Sequence, residues 1–338
     1  MPGSRKMEKM ARRARCIGLL LPMAFALALA SAAPSSADPD RWRWEWPVTD
    51  FTRHSIPYDE ILSGGPPKEG IPAINDPRFE PVSKITNLSE QEPVITLRIG
   101  EEVRAYPLRV LTWHEIANDT LAGVPVAVTY CPLCNAALVF DRRLDGKVLD
   151  FGTTGKLRHS DLVMYDRQTE SWWQQFTGEA IVGELTGKKL KMLPSRLEAW
   201  GRFRDRYPEA EVLVPNDPNR RRYGANPYVG YDSEPFPFLY KGEVPEGIEP
   251  LARVIVVGSQ AWSLDLLRRK GRLTSGELVL TWEPGQNSAL DTRAISEGRD
   301  VGNVIVERVT ADGREDALHH VTFAFVFHAF QPDGTLYR

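Results

Sequence analysis

From residue 94 onward the chain is written in short runs of alternating or β-branched apolar residues, cut by turn signals. Val94–Ile99 has the character of a strand, Gly100-Glu101-Glu102 turns, and Val103–Tyr106 returns. Leu108–Ala117 reads as a short helix carrying Trp113, His114 and Glu115, and Val124–Tyr130 as a β-branched strand. Ala137–Arg142 and Lys147–Phe151 flank Asp145-Gly146, a pair that favours a tight hairpin turn. Further strands are expected at Leu162–Tyr165, Trp172–Phe176 and Lys189–Leu193. Ser195-Arg196-Leu197-Glu198 has the form of a capping box, opening a helix through Trp200 and Phe203 that ends at Tyr207-Pro208.

The order then repeats. Val254–Val257, Gly258 and Gln260–Leu264 echo the first strand, turn and Arg104–Leu108. Thr129-Tyr-Cys-Pro-Leu-Cys-Asn-Ala-Ala-Leu138 has an echo in Thr281-Trp-Glu-Pro-Gly-Gln-Asn-Ser-Ala-Leu290, with Glu283 and Gln286 in place of the cysteines. Val321–Phe330 is the expected partner of the capped helix. The fold class expected is therefore α+β, mainly β, an imperfect tandem duplication of a strand-rich unit with short helices. Regular strand–helix alternation, the mark of a parallel sheet, is missing.

The expected boundaries are a leader at 1–37, an irregular arm at 38–90, a first repeat at 91–215, a Pro- and Tyr-rich connector at 216–250 and a degenerate second repeat at 251–338. In the arm, Trp42, Trp44 and Trp46 alternate, as in half of a strand packing on the body or a stripe for a partner. The connector is a wrapping linker or a lid.

The leader changes the chemistry. Six basic residues precede an apolar run at Ile17–Ala30, and small residues follow, the pattern of an export signal cleaved after Ala32, Ala33 or Ala37. Arg12-Arg13 also admits twin-arginine export. The whole chain carries −3, and residues 1–37 hold six bases and one acid, so the remainder carries about −8. That balance suits neither nucleic acid nor anionic lipid. The expected location is periplasmic or extracellular, with no integral membrane segment after the leader is removed. Such a compartment lets disulfides persist.

Outside Cys16 in the leader, Cys131 and Cys134 are the only cysteines. Cys-Pro-x-Cys followed by a residue tolerant of positive φ builds a metal knuckle, since Pro132 fixes one backbone angle and Asn135 accepts the left-handed region. Six residues between two strands favour a hairpin over the helix on which a thioredoxin-like site depends. Two thiolates leave a metal incomplete, so copper or zinc calls for further ligands. His114 is the first choice, followed by His159, Glu115 and Met164. His114-Glu115 is no zincin motif, because Asn118 stands where a second histidine is required. Asp161 is a candidate general base or imidazole partner, or a turn residue binding local backbone. Of Trp172 and Trp173 on one strand, one is expected to be exposed or to line a cleft.

Three functions follow: a transition-metal site, copper or zinc, around Cys131, Cys134 and the histidines; a thiol–disulfide oxidoreductase; or a non-enzymatic binding module with a structural disulfide. The partner, small molecule or protein, stays open.

Several long motifs resemble one family. They are Gly64–Ala73, Arg104–Leu108, Trp113-His114-Glu115 with Asn118-Asp119, Thr129–Asn135, Ser160–Asp166 and Gly178–Gly183. The chain resembles the mostly exported bacterial and archaeal proteins grouped as domain of unknown function 3179, closely over about 60–240 and loosely beyond. The resemblance implies that Trp113-His114-Glu115 and the cysteine pair belong to one signature, and it brings no reaction. His159 departs from the pattern, which leaves His114 as the stronger ligand.

Overall fold

The computed structural model describes residues 39–338. The expected leader, with Cys16, lies outside the described residues. The fold is mainly β, with few and short helices. Five sheets of four or five strands form a propeller-like ring of five blades, so the chain is not a simple tandem duplication.

What repeats is the plan of two pairs of blades. In one, the hairpin Pro93–Ile99/Glu102–Pro107 is joined antiparallel by Ser195–Ala199 and parallel by Glu211–Val214. In its counterpart, Arg253–Val257/Gln260–Ser263 is joined antiparallel by His320–Phe323 and parallel by Thr335–Tyr337. A seven-residue helix links the last two strands in each case, Trp200–Arg206 and Ala324–Phe330. The next blades are both four-stranded and antiparallel: Ile116–Leu121, Val124–Cys131, Ala136–Asp141 and Lys191–Leu193 in one, Arg272–Ser275, Leu278–Glu283, Asn303–Thr310 and Gly313–Asp316 in the other. The fifth blade breaks the symmetry. Its strands Phe151–Arg158, Asp161–Asp166, Trp172–Gln174 and Glu179–Val182 are inserted between Ala136–Asp141 and Lys191–Leu193, and the arm adds Ile61–Ser63 to its edge. The arm also adds Arg78–Pro81 to the blade of Pro93–Ile99.

The echo of the cysteine loop occupies the same strand but follows another path. Cys131 and Ala136 pair directly across a tight bend, whereas after Glu283 the chain makes a long excursion, bridged at Asn287 and Asp300, before Asn303. Loss of the cysteines there accompanies loss of the tight bend, so the echo does not isolate the role of sulfur.

Four local expectations yield to tertiary packing. Ser195–Ala199 is a strand paired to Pro93–Leu97, and Glu198 accepts a 2.5 Å hydrogen bond from Thr96 rather than capping a helix. The helix expected at Leu108–Ala117 covers only Leu108–Leu111, because Glu115 takes φ 58° and Ile116 starts a strand. Trp172 and Trp173 are both fully buried. The arm covers the outer face: Trp172 packs on Trp42, Trp46 and Phe51 at 5.0–5.5 Å. Trp173 faces the core against Phe151 and donates its indole N–H to Asp166 at 2.9 Å. The tryptophan stripe is not a strand. Pro39–Trp42 is helical and continues into a turn, so Trp42 and Trp46 fall on one side while Trp44 is 93% exposed.

No helix among the described residues is long and apolar enough to cross a membrane.

Candidate metal site beside an apolar cleft

The cysteine bend is a knuckle. Strand Val124–Cys131 runs into one 3-10 turn, Pro132–Cys134, and Asn135 at φ 48°, ψ 34° reverses the chain into Ala136–Asp141. Asn135 suits this position, since asparagine tolerates the left-handed region better than most residues. Its Oδ1 also accepts a 3.3 Å hydrogen bond from Tyr130. Asn135→Ala is expected to cost about 1–2 kcal/mol in urea unfolding, and Asn135→Gly much less; equal costs would show that the backbone angle is not what the residue supplies. Neighbouring elements pin the knuckle: Thr322 Oγ1 donates to the Cys134 carbonyl at 2.9 Å, Tyr231 donates to that of Leu133 at 3.0 Å, and the Gln175 amide donates to that of Ala136 at 3.2 Å.

Asp161 arrives from the inserted blade. His159 and Ser160, at φ 51° and 65°, form the two-residue turn between its first long strands, so Asp161 opens a strand with its side chain inward and fully buried. The structure thus brings together Cys131, Cys134 and Asp161, whose ligand atoms all lie within 4.8 Å of one another. Both cysteines are free thiols and both are buried. Asp161 Oδ2 accepts from Gln174 at 2.5 Å and from the Phe176 amide at 2.9 Å, while Oδ1 is buried without a hydrogen-bond partner. One oxygen is anchored and the other is free to bind.

Burial keeps the two thiols protonated. Burial pushes the Cys131 thiol up, and Asp161 and Glu115 beside it add to the effect; burial pushes Cys134 well up. Burial lifts Asp161 to about 6, although Gln174, Phe176 and the two thiols pull it back. The acids nearby discourage a thiolate, and the three-residue turn offers no helix terminus to stabilise one.

Neither histidine belongs to the group, a correction to the expected ligand set. His114 is buried with both nitrogens committed. Nδ1–H donates to the Pro72 carbonyl at 2.7 Å, which leaves Nε2 to accept from Tyr223 at 2.8 Å. His159 sits in the turn with Nε2 3.4 Å from Glu60, its ring against Phe330. Tyr223→Phe is expected to destabilise the protein by about 1 kcal/mol and to leave metal uptake unchanged; uptake lost with the hydroxyl would return His114 to the ligand set. Met164 packs in the same core as the two cysteines. Trp172 and Trp173 are both buried, and neither lines the cleft beside Glu115.

Glu115 is the residue that sequence reasoning undervalued. It is 7% exposed, and its carboxyl makes no hydrogen bond or ion pair among the described residues. Burial, reinforced by Asp161, lifts it to about 8. Its positive φ is strained for a glutamate, yet its backbone is held by Leu111 and Tyr130. Its signal in the sequence is adjacency to His114 inside one motif. Glu115 lines a cleft of about 400 Å³, shared by Leu133 and Leu162 on one side and Tyr228, Tyr231 and Phe238 of the connector on the other. The connector therefore forms a wall of the cleft.

The family described as "Protein of unknown function (DUF3179)" matches residues 68–334. The chain belongs to that family. No curated protein and no solved structure matches it. The DUF3179 match includes the knuckle, Asp161 and every strand of the five blades except the edge strands Ile61–Ser63 and Thr335–Tyr337.

Proposed function

We propose that this protein binds a borderline transition-metal ion through Cys131 Sγ, Cys134 Sγ and Asp161 Oδ1. The observation that carries the reading is the buried Asp161 carboxylate, which lies within 4.8 Å of two unlinked thiols and keeps one oxygen, Oδ1, without a hydrogen-bond partner. A buried polar atom without a partner is costly, and a cation bridging the three atoms removes that cost. Two sulfurs with one oxygen suit zinc better than copper(I), whose preferred imidazole is engaged elsewhere. Three protein ligands leave one position for a fourth donor.

The elevated thiols argue against a thiol–disulfide oxidoreductase, because a poised nucleophile needs a lowered pKa. The ion binds the deprotonated forms, so uptake releases protons and strengthens as pH rises. The basic and apolar residues of 1–37 support export to the periplasm or beyond, where burial shields the thiols from exchange.

The test is zinc titration of reduced, metal-free full chain, with thiol alkylation followed on the same sample. The expected result is about one equivalent bound per chain, with both thiols masked together. No uptake by fully reduced protein would overturn the reading.

A further inference from the structure

The cleft beside Glu115 has a polar end that the metal reading does not use. Two polar residues line it without side-chain hydrogen bonds among the described residues, Glu115 and Tyr228, and Tyr228 feels Glu115 as an electrostatic neighbour. The rest of the wall is mainly apolar, and the volume of about 400 Å³ falls in the range of small-molecule sites.

The sign of the field selects the ligand. Lys156 is the cation lining this cleft, and it faces Glu45 at 3.4 Å. Glu115 and Glu234 also line the cleft, and Asp161 lies behind Glu115. An anion is repelled here. A cation supplies what the buried carboxyl lacks, and two aromatic residues that can attract one, Tyr228 and Tyr231, line the same cleft.

The geometry points to a binding site for a small organic amine, its ammonium group paired with Glu115 and Tyr228 and its apolar body lying between Leu162 and Phe238. Phe238 and Val229 are each 53% exposed at the mouth, so a longer apolar body can extend over the connector. The site adjoins the cysteine knuckle through Leu133, but its polar groups are Glu115 and Tyr228 and it does not depend on a bound ion.

Calorimetry on the full chain tests it with three isosteric probes: phenethylamine, 2-phenylethanol and 3-phenylpropanoate, each with and without EDTA. The amine is expected to bind at least about tenfold tighter than the alcohol, with the carboxylate weakest and EDTA without effect. Glu115→Gln is expected to abolish the preference for the amine while retaining the alcohol. Val229→Trp, which fills the mouth from an exposed position, is expected to weaken amine and alcohol alike. The inference is overturned if the alcohol or the carboxylate binds as tightly as the amine, if Glu115→Gln leaves the ratio unchanged, or if no probe binds. Dependence of amine binding on EDTA would also overturn it, by making the ion the receptor; failure of zinc titration alone leaves it standing.

Discussion

Cys134→Ser is expected to lower zinc affinity by about 100-fold or more. Structural zinc sites bind with roughly 10–16 kcal/mol, so one ligand of four supplies about 3 kcal/mol, or two decades. Serine keeps the size and the burial, but its hydroxyl does not ionise near neutrality, so a soft anionic donor is lost. Asp161→Asn keeps the shape, and its amide can still meet Gln174, but it removes the negative oxygen; a loss of about 10–100-fold is expected. His159→Asn should leave affinity where it was, since the imidazole faces Glu60 and Phe330 rather than the sulfurs. Competition against a chromophoric chelator measures all three, with circular dichroism confirming the fold. At zinc about 1,000-fold above Kd the native protein gains roughly 4 kcal/mol of stability, and the serine variant, about 100-fold weaker or more, should gain about 1.4 kcal/mol or less. A serine variant of native affinity would remove the cysteines from the site.

Glu115→Gln is expected to flatten the fall in stability of the metal-free protein as pH rises from about 5 to about 8. In the folded chain the carboxyl is lifted from 4.5 to about 8, by burial first and by Asp161 second. The folded state therefore holds this proton more tightly than the unfolded state. The stabilisation is complete below about pH 4.5 and disappears as pH rises through about 8. Between pH 5 and 8 this one group removes roughly 3 kcal/mol. Glutamine mimics the protonated acid and carries no such penalty. Asp161, raised to about 6, acts in the same direction over a lower window, so the contrast is cleanest above pH 6.5. Urea unfolding at several pH values in the presence of a chelator reads both slopes, and identical slopes in the two proteins would show that Glu115 ionises without hindrance.

Legibility in the sequence differed between the bend and its surroundings. The knuckle depends on neighbours in the chain: Pro132 restricts one angle, Asn135 accepts another, and the flanking β-branched runs demand a hairpin. All three came through in the structure. The oxygen ligand was legible only as one of several polar residues in a motif. Asp161 and Asp166 look alike as turn residues, yet Asp166 is consumed by Thr169 and Trp173 while Asp161 keeps one oxygen free. His114 was the natural choice by type and position, yet it lies outside the group of Cys131, Cys134 and Asp161, and Pro72 and Tyr223, distant in sequence, occupy both its nitrogens. The tryptophans misled for a similar reason. Alternation on a strand exposes one face only if nothing covers it, and here the arm does.

The chain by itself determined its mainly β character, the paired hairpins, the knuckle and the family, because each rests on residues adjacent or periodic in sequence. Tertiary structure alone decided that a fifth blade interrupts the first repeat, that an aspartate rather than a histidine meets the sulfurs, and that Glu115 is left unpaired at the end of a cleft. Those outcomes depend on which distant groups desolvate or satisfy one another, and one-dimensional spacing carries no measure of that.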